Sequence, residues 1–220
     1  MTATPAEKRS TMEPLPKVAS TETRLVPFSI LYHGMMRNLT LKLEGERDPS
    51  VAHDYHPQVA NVVVLAAFVT ETAINEIAYW LETHLTRRVP RPQNFEQSSI
   101  RHKWQSLPPR CGAVGFDRNT RPWLDFDALI RLRNALAHAG AYPEAPAGVL
   151  HLLEARGCVQ PAMDWFESTM TLRTARWACT TASAMPHTLA AMLAPHVDLH
   201  NGGFSWAWGN AWLPTIDSPP

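Results

Sequence analysis

The sequence predicts an all-α domain, an antiparallel helical bundle with irregular extensions at both ends. Three observations carry that expectation. Gln58 to about Leu85 is a long apolar stretch with polar interruptions, about Asp125 to Ala139 is a second periodic stretch stopped by Gly140, and Thr171 to Leu193 is a third. Stretches of this length exceed ordinary strands, and apolar residues recurring at three- and four-residue intervals form one face of a helix.

Taken in order, residues 1–24 are rich in Pro, Thr, Ser, Glu and Lys and offer little to bury, so they are expected to be a flexible segment outside the domain. The domain is placed at residues 25–194. In its first stretch Leu31, Met35, Leu39 and Leu43 recur every fourth position, while Leu39, Leu41 and Leu43 also alternate as a strand would; a helix over Phe28–Leu43 is favoured. Gly45 to Pro57, with Asp48-Pro49-Ser50, reads as a connection before the long helix from Gln58. Arg87 to Arg121 is broken by prolines and glycines and holds one short helical piece, Gln97–Leu107. Gly140 suits the left-handed conformation that ends a helix, and Pro143 and Pro146 mark the exit. Gly148 to Pro161 is left open between helix and loop, and Pro186 is able to kink the last helix. Residues 195–220 form a tail with Trp206, Trp208 and Trp212, expected to wrap the surface or a partner.

A chain of 220 residues with 45% hydrophobic content suits one well-packed domain. Lys and Arg number 20 and Asp and Glu 20, so the whole-molecule field gives no general attraction to nucleic acid or to an anionic membrane. Cys111, Cys158 and Cys179 fit no CxxC or zinc-ribbon spacing, which points to a reducing cytoplasm. The N-terminal residues hold no apolar core of signal-peptide length. Val59–Leu81 comes nearest to a membrane span, but Asn61, Thr70, Glu71, Asn75 and Glu76 interrupt it as in a bundle helix. A cytoplasmic protein without membrane contact is expected.

The segment Arg133-Asn134-Ala135-Leu136-Ala137-His138 stands out. At about 100° per residue, Phe126, Leu129, Leu132 and Leu136 share one side of the helix, and Arg133 falls inside that apolar stripe. Asp127, Arg131, Asn134 and His138 take the polar side. A core-edge arginine paired with a carboxylate is the simple explanation of Arg133, and a histidine in a last helical turn commonly complements the negative helix end. Together the residues also suit cleavage of an RNA phosphodiester. Attack by the ribose 2′-hydroxyl needs a base, the leaving 5′-oxygen an acid and the phosphorane positive charge; histidine and arginine supply these without metal or cofactor. Positions five apart lie about 140° apart around an ideal helix, so one straight helix does not aim both groups at one phosphate. Unwinding at Ala139-Gly140 or a two-fold homodimer would remedy this, and the dimer is preferred.

This segment resembles the R-N-x-x-x-H motif of HEPN domains, helical domains of many prokaryotic toxins and RNA-processing proteins. Ala67-Phe68-Val69-Thr70-Glu71-Thr72-Ala73-Ile74-Asn75 looks like the long early helix of that family. Lys103-Trp104 and Ala175-Arg176-Trp177-Ala178 resemble positions before and after the motif helix. The likeness spans roughly residues 58–193. It implies a HEPN-like bundle, a metal-independent endoribonuclease that dimerises to form a composite site, and catalytic roles for Arg133 and His138 with Asn134 orienting them. A defence, stress or toxin–antitoxin setting, with an antitoxin or regulatory protein as partner, follows from the same likeness. Other members have lost activity and bind RNA, nucleotides or proteins, which is the alternative expectation.

Weaker candidates surround the motif. Glu71, Asn75 and Glu82 form a polar stripe on the long helix, which is either solvated or turned toward the motif, where Glu71 would pair with Arg133. Between Arg87 and Arg121 the cations Arg87, Arg88, Arg91, Arg101, Lys103, Arg110, Arg118 and Arg121 face only Glu96 and Asp117. With Phe95 and Trp104 interleaved, this region could track a phosphate backbone and stack a base, so Arg101, Lys103 and Trp104 join Glu71 and Asn75 as substrate-binding candidates. His53/His56 and His196/His200 lack completing ligands, so no metal is expected. Gly202-Gly203 lacks the lysine of a phosphate loop, and Cys111 lacks an identifiable base.

Overall fold

The computed structural model describes residues 28–47, 55–83, 88–138 and 144–198. Among these residues seven helices and no strand occur: α1 Phe28–Gly45, α2 Val59–Thr83, α3 Ile100–Arg110, α4 Trp123–Ala137, α5 Val149–Ala155, α6 Trp165–Thr169 and α7 Leu172–Leu193. The all-α expectation holds at that level.

α2 is the hub, packed against α1, α7, α4 and α3. Its most apolar stretch is long and apolar enough to cross a membrane by composition, yet 56% of that stretch is buried inside the bundle, as in a core helix. Val62, Val69, Ala73, Ile77 and Leu81 are fully buried. Each such Val, Ile or Leu side chain contributes about 1.5–3 kcal/mol relative to exposure, which is what holds a helix of this length in place. α1 resolves the choice between helix and strand: Met36, Thr40 and Leu43 face the core while Leu31, Met35 and Leu41 are exposed, a helical rather than an alternating pattern. Thr40 stays in the core by donating its hydroxyl to the Met36 carbonyl at 3.0 Å.

The short helices start where side chains cap them. α3 begins at Ile100 rather than Gln97 because Ser99 accepts a hydrogen bond from the His102 N–H at 3.3 Å. It runs past Leu107 through Pro108 and Pro109, which supply no N–H to the preceding turn and so end it. In the region left open, α5 follows Gly148, whose φ of +77° favours glycine. α6 was not anticipated; Asp164 caps it through the Glu167 N–H at 2.8 Å. Thr171 caps α7 through the Thr174 N–H at 3.2 Å, and Pro186 sits inside that helix.

α4 carries the motif and begins two residues before Asp125. Phe126, Leu129, Ile130 and Leu132 are buried along it. Its first turn is tied to α5 by the buried Asp125, which accepts from Arg156 Nε at 2.9 Å and faces Arg121 Nε at 3.0 Å. The expected stop at Ala139-Gly140, the N-terminal segment and the Trp-rich tail lie outside the described residues.

Candidate functional site

The polar stripe of α2 is a seam rather than a solvated face. Glu71 Oε2 lies 3.9 Å from Arg133 Nη2 on α4. One turn on, Asn75 Oδ1 accepts from Lys103 Nζ on α3 at 2.9 Å. Beyond it Glu82 accepts from Arg91 Nε at 2.6 Å, and Arg91 Nη1 reaches Glu96 at 2.5 Å. One side of the helix thus meets three different segments, Asn75 one turn after Glu71 and Glu82 two turns after Asn75.

Arg133 is half-buried, with its side chain 26% exposed against 39% for Glu71. A separation of 3.9 Å is a charge contact and too long for a hydrogen bond. Its Nε is buried without an acceptor, and among the described residues no protein group accepts a hydrogen bond from this guanidinium. The carboxylate therefore orients the cation while leaving its donor fork unused.

Asn134 and His138 are exposed, and neither side chain has a hydrogen-bond partner among the described residues. The His138 backbone N–H donates to the Asn134 carbonyl at 3.1 Å and to that of Ala135 at 3.3 Å. His138 is already the cap of α4, with φ −121° and ψ 31°. That φ departs by about 60° from the helical value, so its imidazole leaves the ideal helical projection within one residue of Ala137. The structure keeps Arg133 against α2 and His138 in solvent at the end of the same helix.

The remaining sequence candidates divide by burial. Lys103 is 2% exposed; besides its bond to Asn75, its ammonium lies 5.4 Å from the Phe95 ring centroid. Trp104 is fully buried, with Phe116 and Phe126 edge-on at 5.9 and 6.1 Å and its indole N–H without an acceptor. Neither is displayed to a strand of RNA in this conformation. They sit on the inner side of α3, one turn below the Ser99 cap, where an amphipathic helix must face its neighbours. Arg101 faces outward instead, with Nε on Asp127 Oδ1 and Nη2 on the Asp127 carbonyl at 3.1 Å.

Sequence reading did not foresee two buried polar contacts. Glu76 accepts from both the backbone N–H and the hydroxyl of Ser29, and burial raises its carboxyl above the ordinary value. His33 Nε2 lies 3.1 Å from Ser183 Oγ, which itself donates to the Cys179 carbonyl at 3.0 Å. A hydroxyl has one proton, so here Nε2–H donates to the serine and the pair is no nucleophile–base dyad. Burial, then Arg37 and His187, hold the imidazole down at about 4. Residues 150 positions apart give no sequence signal of such contact.

Cys111, Cys158 and Cys179 are free and buried, and burial pushes each thiol up to about 11, far from a nucleophilic thiolate at neutral pH. Among the described residues no three His, Cys, Asp or Glu side chains converge, and His53 and His200 lie outside them. No protein-family model, curated protein or solved structure matches the chain.

Proposed function

We propose that the protein is a metal-independent endoribonuclease of HEPN type, acting in the cytoplasm as a homodimer with Arg133 and His138 as its catalytic residues. One observation carries the reading: a half-buried guanidinium, held by the charge of Glu71, has no acceptor for its terminal Nη donors among the described residues, at the end of a helix whose cap is an exposed histidine. A purely structural arginine at a core edge would spend those donors on protein carbonyls or carboxylates.

A neutral His138 removes the proton from a ribose 2′-hydroxyl while that oxygen bonds to phosphorus. A protonated His138 of a second copy delivers a proton to the 5′-oxygen as the P–O5′ bond breaks. The products are a 2′,3′-cyclic phosphate and a 5′-hydroxyl, and the two imidazoles have exchanged protonation states. Arg133 neutralises the phosphorane oxygens, and Asn134, on the same exposed surface as His138, helps orient the two catalytic side chains. The second copy answers the angular separation of Arg133 and His138 along one helix. An antitoxin or other regulatory protein is the partner class that would keep such an enzyme silent.

The test uses the purified full chain and 5′-labelled single-stranded RNA in EDTA. Cleavage with a cyclic-phosphate end is expected, falling by about 10²–10⁴-fold in Arg133→Ala and in His138→Ala while far-UV circular dichroism is kept. Cleavage untouched by either substitution overturns the reading. Binding of RNA without turnover selects the second reading, a catalytically silent HEPN-like binding module, which the cleft described next favours.

A further inference from the structure

The outward faces of α3 and α4 border an open cleft of about 520 Å³, which takes in Arg101 but none of the motif residues. Its lining includes Arg101, Arg118 and Arg131, together with His102, Asp127 and Trp123. A volume of this size falls within the range of small-molecule sites.

Donor accounting gives the cleft its chemistry. Each Asp127 oxygen meets a guanidinium: one accepts from Arg101 Nε, and the other lies 2.7 Å from Arg131 Nε as an ion pair. It holds both guanidiniums in place. Arg101 spends a second donor on the Asp127 carbonyl, and Arg131 spends one on the Ala147 carbonyl at 3.3 Å. Of five N–H donors, three on Arg101 and four on Arg131 have no hydrogen-bond acceptor among the described residues. Arg118 is exposed and has no carboxylate partner among the described residues. The walls therefore carry three guanidiniums against one carboxylate and a surplus of forked donors, the arrangement that recognises phosphate oxygens. Trp123 is only 5% exposed and packed against Phe116 and Phe126, so it adds an apolar edge to the lining rather than an open ring face.

We propose that this cleft binds a nucleoside phosphate through its phosphate, held among Arg101, Arg118 and Arg131. That the nucleotide belongs to an RNA strand rests on the ribonuclease reading. Arg131 and Arg133 lie two residues apart on α4, about 200° around the helix, so the cleft opens away from the Glu71 side. It is an anchoring subsite, separate from the phosphate that is cut.

The experiment measures anisotropy of a 5′-fluorescein single-stranded RNA 10-mer with the full chain in EDTA. His138→Ala serves as the background, so that the strand stays intact. Adding Arg118→Ala and Arg131→Ala, both outward-facing, is expected to weaken binding at least about tenfold and to flatten the salt dependence by about 1.4 in the log–log slope, two phosphate contacts at about 0.7 each. The corresponding double lysine variant keeps the salt slope. Competition by 5′-AMP that is lost with the arginines supports the same chemistry and identifies a free nucleotide as its source. Unchanged affinity and slope in the double alanine variant, or no binding of either ligand by the background protein, overturns the proposal. Cleavage by the unmodified chain is scored in parallel. Arginine-dependent binding without cleavage leaves the cleft standing and removes the ribonuclease; Arg133-dependent cleavage with binding indifferent to Arg118 and Arg131 does the reverse.

Discussion

Removing the acceptor of the buried Lys103 ammonium should cost the domain more than removing the ammonium itself. Nζ donates to Asn75 Oδ1 at 2.9 Å and lies 5.4 Å from the Phe95 ring, in a residue only 2% exposed. Asn75→Ala takes away its one hydrogen-bond acceptor among the described residues and leaves a cation that water reaches poorly. Hydrogen bonds to charged groups contribute about 1.5–3 kcal/mol, and the stranded donor adds its own desolvation, so a loss of about 2–4 kcal/mol is expected. The Phe95 ring retains roughly 0.5–2 kcal/mol of attraction, which keeps the cost below that of a bare buried charge. For a domain of this size the loss lowers Tm by about 5–15 °C. Lys103→Met keeps the stem volume and removes the charge, and should stay within about 1 kcal/mol of the parent. The double variant should resemble Lys103→Met alone. Urea unfolding followed by far-UV circular dichroism reads all three, with an unchanged m-value as the control. If Asn75→Ala changes stability by less than about 0.5 kcal/mol, the ammonium is hydrated rather than buried, and the reasoning fails.

Two further outcomes follow from burial. His33, held at about 4 by burial, Arg37 and His187, refuses a proton that the unfolded chain accepts near 6.5. Its contribution is therefore complete above about pH 6.5, declines as pH falls toward about 4 and levels off below; solvent screening of this half-buried ring limits it to about 1–2 kcal/mol. The stability difference between the parent and His33→Gln, measured at pH 7 and pH 4.5, should shrink by that amount, and a pH-independent difference would contradict it. Trp104→Ala should cost about 3–5 kcal/mol through the cavity it opens, whereas Trp104→Phe, which also removes an indole N–H lacking an acceptor, should cost less than half as much. A negligible effect of Trp104→Ala in thermal unfolding would return this residue to the surface as a stacking platform.

Most of the fold was legible because its signals are local. The three long helices are written in apolar periodicity and their observed ends differ from expectation by a few residues, while the start of the shorter α3 is set by the Ser99 cap. α5 and α6, with seven and five residues, carry too little pattern to be seen without the core they close. The Arg133–Glu71 pairing could be stated only as one of two outcomes, since a polar stripe on one helix looks the same whether it meets water or another helix.

Lys103 and Trp104 show the opposite limit. Their types and neighbours match an RNA-binding surface, yet α3 turns both inward and leaves Arg101 on the outside. By itself the sequence determined the helical class, the long buried α2 and the placing of Arg133 on the apolar side of α4, because periodicity is set within a few turns of chain. Only the tertiary structure decided which polar residues meet: Glu71 with Arg133, Asn75 with Lys103, and Asp127 between Arg101 and Arg131. Those contacts depend on how helices distant in sequence rotate and pack, and a side chain's role as ligand or as structural partner is settled by that packing.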